Sequence, residues 1–261
     1  MKTGMSSVLL WVSVIMCIPA CSVKEDRGEC PCRIVFDLSG IGDAADSVCL
    51  SLVSTDGFLL NTALPLGNES SCHSFDVRKG LYLSNIYCGD QGFFSDSNGI
   101  IIPEGEQCPA VYMFSERIEA YGEYCFSRPV LSKNYCLARI LLVCDDAAEL
   151  PFSLRIRGNV DGYGLSGEPS DGKFSFVPEI GKDGRSEVRL PRQKDASLKL
   201  DVVEDDRILR TFALGSIIIE SGYDWSARNL EDIELTVDYS KTDVTFIVNG
   251  WEKEFTFDIT I

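Results

Sequence analysis

The stretch Val244-Thr245-Phe246-Ile247-Val248-Asn249-Gly250-Trp251-Glu252-Lys253-Glu254-Phe255-Thr256-Phe257-Asp258-Ile259-Thr260-Ile261 reads as a β-hairpin. Val244, Phe246 and Val248 fall on one face of the first strand. Asn249-Gly250 tolerates positive φ at both central positions of a tight turn, so it reverses the chain. Trp251 opens the return strand, followed by Phe255, Phe257, Ile259 and Ile261. The same period of two recurs upstream. Ile34, Phe36 and Leu38 share a face, as do Phe152, Leu154 and Ile156, then Leu198, Leu200 and Val202, then Ile233, Leu235, Val237 and Tyr239. Alternation of this kind marks strands with one wet face, stacked as antiparallel sandwiches.

Ala138 to Val143 is nearly continuously apolar and predicts a strand at a sheet centre or buried on both faces. Turn signals separate the strands at Asp56-Gly57, Asn98-Gly99, Asp161-Gly162, Asp171-Gly172 and Asp183-Gly184. No segment holds a long helical period, although Ser226 to Asp232 has room for one turn. The fold class is all-β. Ser132-Lys133-Asn134 marks a boundary between residues 30–132 and 133–261, each an ordinary size for one sandwich.

Residues 1–20 form a lipoprotein signal peptide: basic Lys2, an apolar run from Val8 to Ile18, then Ile18-Pro19-Ala20 before Cys21. A thiol directly after the cut accepts the lipid, and Cys21 becomes the acylated first residue. Each buried acyl methylene contributes about 0.8 kcal/mol, and several chains together make the attachment durable. Residues 21–29 are a linker to the folded part, and its Lys24-Glu25-Asp26 resembles tags that accompany display at the outer face of the outer membrane.

The chain has 11 cysteines; apart from Cys17 and Cys21, all lie between Cys30 and Cys144. Export makes disulfides the expected use of these thiols, and an odd number leaves at least one unpaired. Spacing leaves the connectivity open. A metal site is not expected: Cys30-Pro31-Cys32 has no second close pair, and His73 is the single histidine.

The net charge is −16. That field repels phosphate backbones, which excludes nucleic acid as a partner. Catalytic patterns are missing too: there is no G-x-S-x-G, no H-E-x-x-H and no phosphate-cradling glycine loop. Cys72 and His73 are strand neighbours that face opposite sides. Asp96-Ser97-Asn98-Gly99 begins like a calcium loop, but Ile100 and Ile101 end the ligand run. No enzyme activity and no cofactor are expected.

Cys21 through Cys30-Pro31-Cys32 and the strand after it, Leu190-Pro191-Arg192-Gln193, Phe212-Ala213-Leu214-Gly215, Ser221-Gly222-Tyr223-Asp224-Trp225, Leu230-Glu231-Asp232-Ile233, and Asp238-Tyr239 before the hairpin follow one another along the chain. In that order they resemble the FimB/Mfa2 family of fimbrial anchor lipoproteins of Bacteroidales. The resemblance implies two tandem transthyretin-like β-sandwiches, an outer-membrane lipid anchor at the cell surface, and a fimbrial shaft subunit as partner. It also implies a retained N-terminal strand, here Ile34, Phe36 and Leu38, because the lipid is attached to it and cutting it would release the fimbria. Phe255, Phe257, Ile259 and Ile261 form the candidate strand for donation to the shaft; the same strand also suits completion of its own domain through the Asn249-Gly250 hairpin. The alternative function is a surface glycan-binding lipoprotein of a nutrient-uptake system, with Tyr223, Trp225 and Trp251 as candidate sugar platforms.

Overall fold

Alternation at Ile34 and Phe36 becomes strand β1 (Cys32–Asp37), the centre of a three-stranded sheet. The computed structural model describes residues 30–41, 46–66, 71–89, 94–95, 99–143, 152–238 and 244–255. Strand β1 runs antiparallel to β4 (Cys72–Val77) and parallel to β9 (Tyr124–Ser127). A five-stranded sheet covers it, ordered β10 (Ser132–Lys133), β8 (Tyr112–Ala120), β5 (Gly80–Cys88), β2 (Ser47–Ser54) and β3 (Leu59–Pro65). Ile34, Phe36, Leu50, Leu52 and Ile86 bury completely between the two sheets.

A second sandwich follows. One sheet is ordered β14 (Arg185–Pro191), β11 (Tyr135–Val143), β17 (Ile233–Asp238), β18 (Val244–Val248) and β19 (Trp251–Phe255). The other is ordered β16 (Arg207–Phe212), β15 (Lys199–Glu204), β12 (Ser153–Tyr163), β7 (Gly99–Ile101) and β6 (Phe94–Ser95), and β13 (Pro169–Phe176) also pairs with β12. Leu154, Ile156, Leu200, Val237 and Phe246 fill its core, with Phe212 edge-on to Phe246 at 4.8 Å between centroids. The all-β class holds. The 132/133 division falls within β10, and β7 reaches across it from the first half of the chain to pair with β12, with β6 paired on the far side of β7.

Part of the five-stranded sheet of the first sandwich, in β2, β5 and β8, is buried on both faces, whereas β3 at its edge is mostly half-buried or exposed. Leu50 and Leu52 face the first core, whereas Cys49, Tyr87 and Met113 belong to the second. β11 lies between β14 and β17, as its apolar run predicts, but only alternate residues are fully buried; Leu137, Leu141 and Val143 are half-buried.

Turn signals divide according to tertiary use. Asn249 (φ 48°) and Gly250 (φ 83°) make the tight reversal between β18 and β19 that their sequence demands. Gly57 and Gly184 also sit in turns, but Gly162 and Gly172 lie inside strands. The register of β12 on β13 slips on either side of Val160, the bulged pairing in which strand glycines are common. A Cβ on Gly162 would come within 1.9 Å of the Ile100 carbonyl oxygen. Glycine therefore lets β7 approach β12.

Two further expectations are corrected. Ser226 to Asp232 holds no helix; α1 is Leu214–Glu220 instead. Its Ile-rich sequence reads as a strand, yet Leu214, Ile217 and Ile218 pack into the second core, and burial outweighs propensity. The disulfide framework is also absent among the described residues: Cys30, Cys32, Cys88, Cys108, Cys125 and Cys136 are free thiols. Cys32, Cys108 and Cys136 serve as small apolar core residues. Burial pushes the Cys136 thiol up to about 12, which keeps it protonated and unreactive.

Asp201 is a buried carboxylate. It accepts hydrogen bonds from Arg157 at 2.6 and 3.1 Å and from Thr211 at 2.7 Å. Burial alone would raise its pKa, but the Arg157 and Thr211 hydrogen bonds and the charges of Arg157 and Arg155 outweigh it and hold the group below 3.8.

These placements set the cost of two substitutions. Gly162→Ala should lower stability by roughly 1–3 kcal/mol through overpacking, seen as a reduced melting temperature, while Gly40→Ala, whose Cβ would meet nothing nearer than 3.8 Å, should change little. Asp201→Asn should cost about 1.5–3 kcal/mol near neutral pH. Because the folded pKa is depressed, that penalty should be complete above the unfolded value and shrink as pH falls below it. Urea melts of the parent protein and Asp201→Asn across the acid range measure the difference.

Candidate functional site

β1 occupies a slot. Six residue pairs join it to β4, from Cys32 opposite Val77 to Asp37 opposite Cys72, and four join it to β9, from Arg33 beside Tyr124 to Phe36 beside Ser127. Its inward side chains Ile34 and Phe36 are fully buried, and Leu38 just beyond is 2% exposed. Phe36 meets Phe75 edge-on at 6.1 Å. Each such side chain contributes about 1.5–3 kcal/mol when removed from water. On the outer face Arg33 grips Asp76 through two hydrogen bonds of 2.7 and 2.9 Å, which pulls the carboxyl below its ordinary range. Extracting this strand would break both ladders and open an apolar groove between β4 and β9.

The other sequence-predicted positions are scattered. Cys21, Phe257, Ile259 and Ile261 lie outside the described residues, as does the segment 96–98 considered for calcium. Phe255 ends β19 opposite Val244, so the return strand begins as a partner of β18. No cluster of three metal-ligating side chains exists among the described residues. His73 places a ring nitrogen 3.2 Å from the Pro65 carbonyl oxygen.

The aromatic residues proposed as a sugar platform are mostly structural. Trp225 is 7% exposed and packs edge-on against Tyr223 at 4.7 Å; Trp251 is half-buried against the second core. The Tyr223 hydroxyl donates to the Glu231 carbonyl at 2.7 Å. The segment Leu190-Pro191-Arg192-Gln193 explains this neighbourhood. The Arg192 guanidinium donates to Asn134 Oδ1 at 3.0 Å and to the Ala227 carbonyl at 2.8 Å, and it also binds the Trp225 carbonyl. Asp232 accepts hydrogen bonds from Lys133 and from Arg139. These residues tie the 223–232 loop to the start of the second sandwich.

Sequence reasoning missed the aromatic residues of β9. Tyr124 is 58% and Phe126 79% exposed, and their rings stack at 6.5 Å between centroids. Alternation in Tyr124-Cys125-Phe126 is visible, but it suggests the aromatics face the core. The fold turns Cys125 inward instead, against the buried Cys32. β9 is an edge strand of its sheet.

No family model matches the sequence, and no curated protein matches it significantly. Solved structures do. The Mfa2 fimbrial anchor protein of Porphyromonas gingivalis superposes with a TM-score of 0.62 over 85% of this chain and 99% of its own, at 12% identity. The chain has the Mfa2 fold. A candidate adhesin from Bacteroides ovatus gives 0.62 over 88% of this chain and 97% of its own at 12% identity. A candidate polysaccharide-binding protein from Bacteroides thetaiotaomicron gives 0.61 over 87% and 99% at 13% identity. At that coverage the Mfa2-like fold extends over both sandwiches.

Removing the Phe36 ring should cost about 3–5 kcal/mol. Phe36→Ala is accordingly expected to lower the denaturation midpoint strongly. The outward Val35→Ala should change it much less, and equal losses from the two variants would contradict the slot-filling role of β1.

Proposed function

We propose that the chain is a non-catalytic, lipid-anchored protein at the base of a cell-surface fimbria, held in the outer membrane through an acylated Cys21. The seating of β1 carries this reading. Cys21 lies only 11 residues before Cys32, so a lipid there would be tied to a strand bonded on both sides. A pull along the tether would load the β4 and β9 ladders in shear, with all their hydrogen bonds sharing the force. The fold shared with a protein described as a fimbrial anchor adds support. Sheet-built surfaces with open edges are also suited to strand addition, where main-chain hydrogen bonds supply affinity and alternate side chains set the register.

The partner in this reading is a shaft subunit, and the strand through Phe255, Phe257, Ile259 and Ile261 is its candidate donor. Cys21→Ala expressed in the native host should release fimbriae into the medium with this protein at their ends. Fimbriae that stay on the cell in normal number would overturn the anchoring role. Phe257→Asp with Ile259→Asp should abolish crosslinking to the shaft subunit while leaving the melting temperature unchanged. A clear fall in melting temperature would instead assign the strand to its own sandwich.

A further inference from the structure

The outer face of the second sandwich holds a cleft of about 500 Å³ whose charged lining is four cations, Arg155, Arg157, Lys173 and Lys199, and one carboxylate, Glu104, with Asn159 and Ser197 beside them. Its position is unusual for a chain of net charge −16. Arg157 on β12 stands directly opposite Lys199 on β15, and like charges so placed oppose strand pairing. Among the described residues one buried carboxylate, Asp201, offsets the nearest three cations. Asp201 binds Arg157 through two hydrogen bonds and reaches Arg155 Nε at 3.4 Å, while that Nε makes no hydrogen bond within the protein. Lys199 is exposed and has no ion pair among the described residues, whereas Lys173 is paired with Glu104 at 2.6 Å. The cleft is left with a surplus of about two positive charges, fixed in place by Asp201 beneath them.

We propose that this cleft binds an acidic saccharide, its carboxylate or sulfate group seated against Arg155, Arg157 and Lys199. Guanidinium groups match such anions with paired N–H donors. Beside the cations, the Ser197 hydroxyl donates to Asn159 Oδ1 at 2.5 Å and the Asn159 amide donates to the exposed Asp195 at 3.1 Å, so a ring hydroxyl meets the second amide hydrogen of Asn159 and the lone pairs of Ser197. A peptide chain is a poorer fit. It gains affinity by pairing its backbone with a strand edge, and this cleft opens on a sheet face where the β12 and β15 backbones are already paired.

The test is calorimetric titration of the full-length protein in a non-ionic detergent at low salt. The probes are a sulfated heparin disaccharide, trigalacturonate, neutral maltotriose and hexaglutamate. Binding of either acidic sugar, with maltotriose and hexaglutamate weaker by about tenfold or more, supports the assignment; which of the two acidic sugars binds tells sulfate from carboxylate recognition. Lys199→Glu and Arg155→Gln should each weaken that binding by about tenfold or more, and added salt should weaken it further. Should Arg155→Gln misfold, the exposed Lys199→Glu decides alone. The proposal is overturned if neither acidic sugar binds, if maltotriose or hexaglutamate binds as tightly, or if Lys199→Glu retains full affinity.

Discussion

Seating β1 between β4 and β9 is the constraint on which the first sandwich depends. A central strand cannot be removed without exposing Ile34 and Phe36 and leaving two strands with unpaired backbone groups. β1 is thereby held on both sides, with its inward side chains fully buried. Segments near a chain's end usually fray unless they are paired into a sheet, and β1 is paired along both of its edges.

The second level of coupling is the five-stranded sheet behind β1. Because β2 and β5 bury side chains on both faces, with Leu50 toward one core and Cys49 and Tyr87 toward the other, the two sandwiches share a wall. β7 adds a covalent crossing, since it arises in the first half of the chain and pairs with β12 of the second. The two sandwiches are thus joined through packed side chains and strand pairing, and not through a single linker.

Charge is organised separately from this packing. The Asp201 cluster gathers cations on one sheet face of the second sandwich. Arg192 acts differently, because its hydrogen bonds hold the 223–232 loop, and the segments around it that resemble fimbrial anchors are structural fasteners. Their order along the chain reflects the fold more than any ligand.

Local sterics made part of this protein legible from sequence alone. The period of two at Ile34 and Phe36, at Leu154 and Ile156, and at Leu235 and Val237 is a property of neighbouring residues, as is the positive φ that Asn249-Gly250 accommodates. Those signals determined the all-β class, the hairpin and the buried face of β1. The slot itself was not legible, because its walls come from residues 72–77 and 124–127, and strand pairing at such separation is chosen by the whole fold. The same holds for α1, for Gly162 inside a strand, for the outward turn of Tyr124 and Phe126, and for thiols that pack without pairing. In each case the side chain's surroundings arrive from distant parts of the chain, so only tertiary structure decides which face is dry, which turn is a bulge and which charges meet.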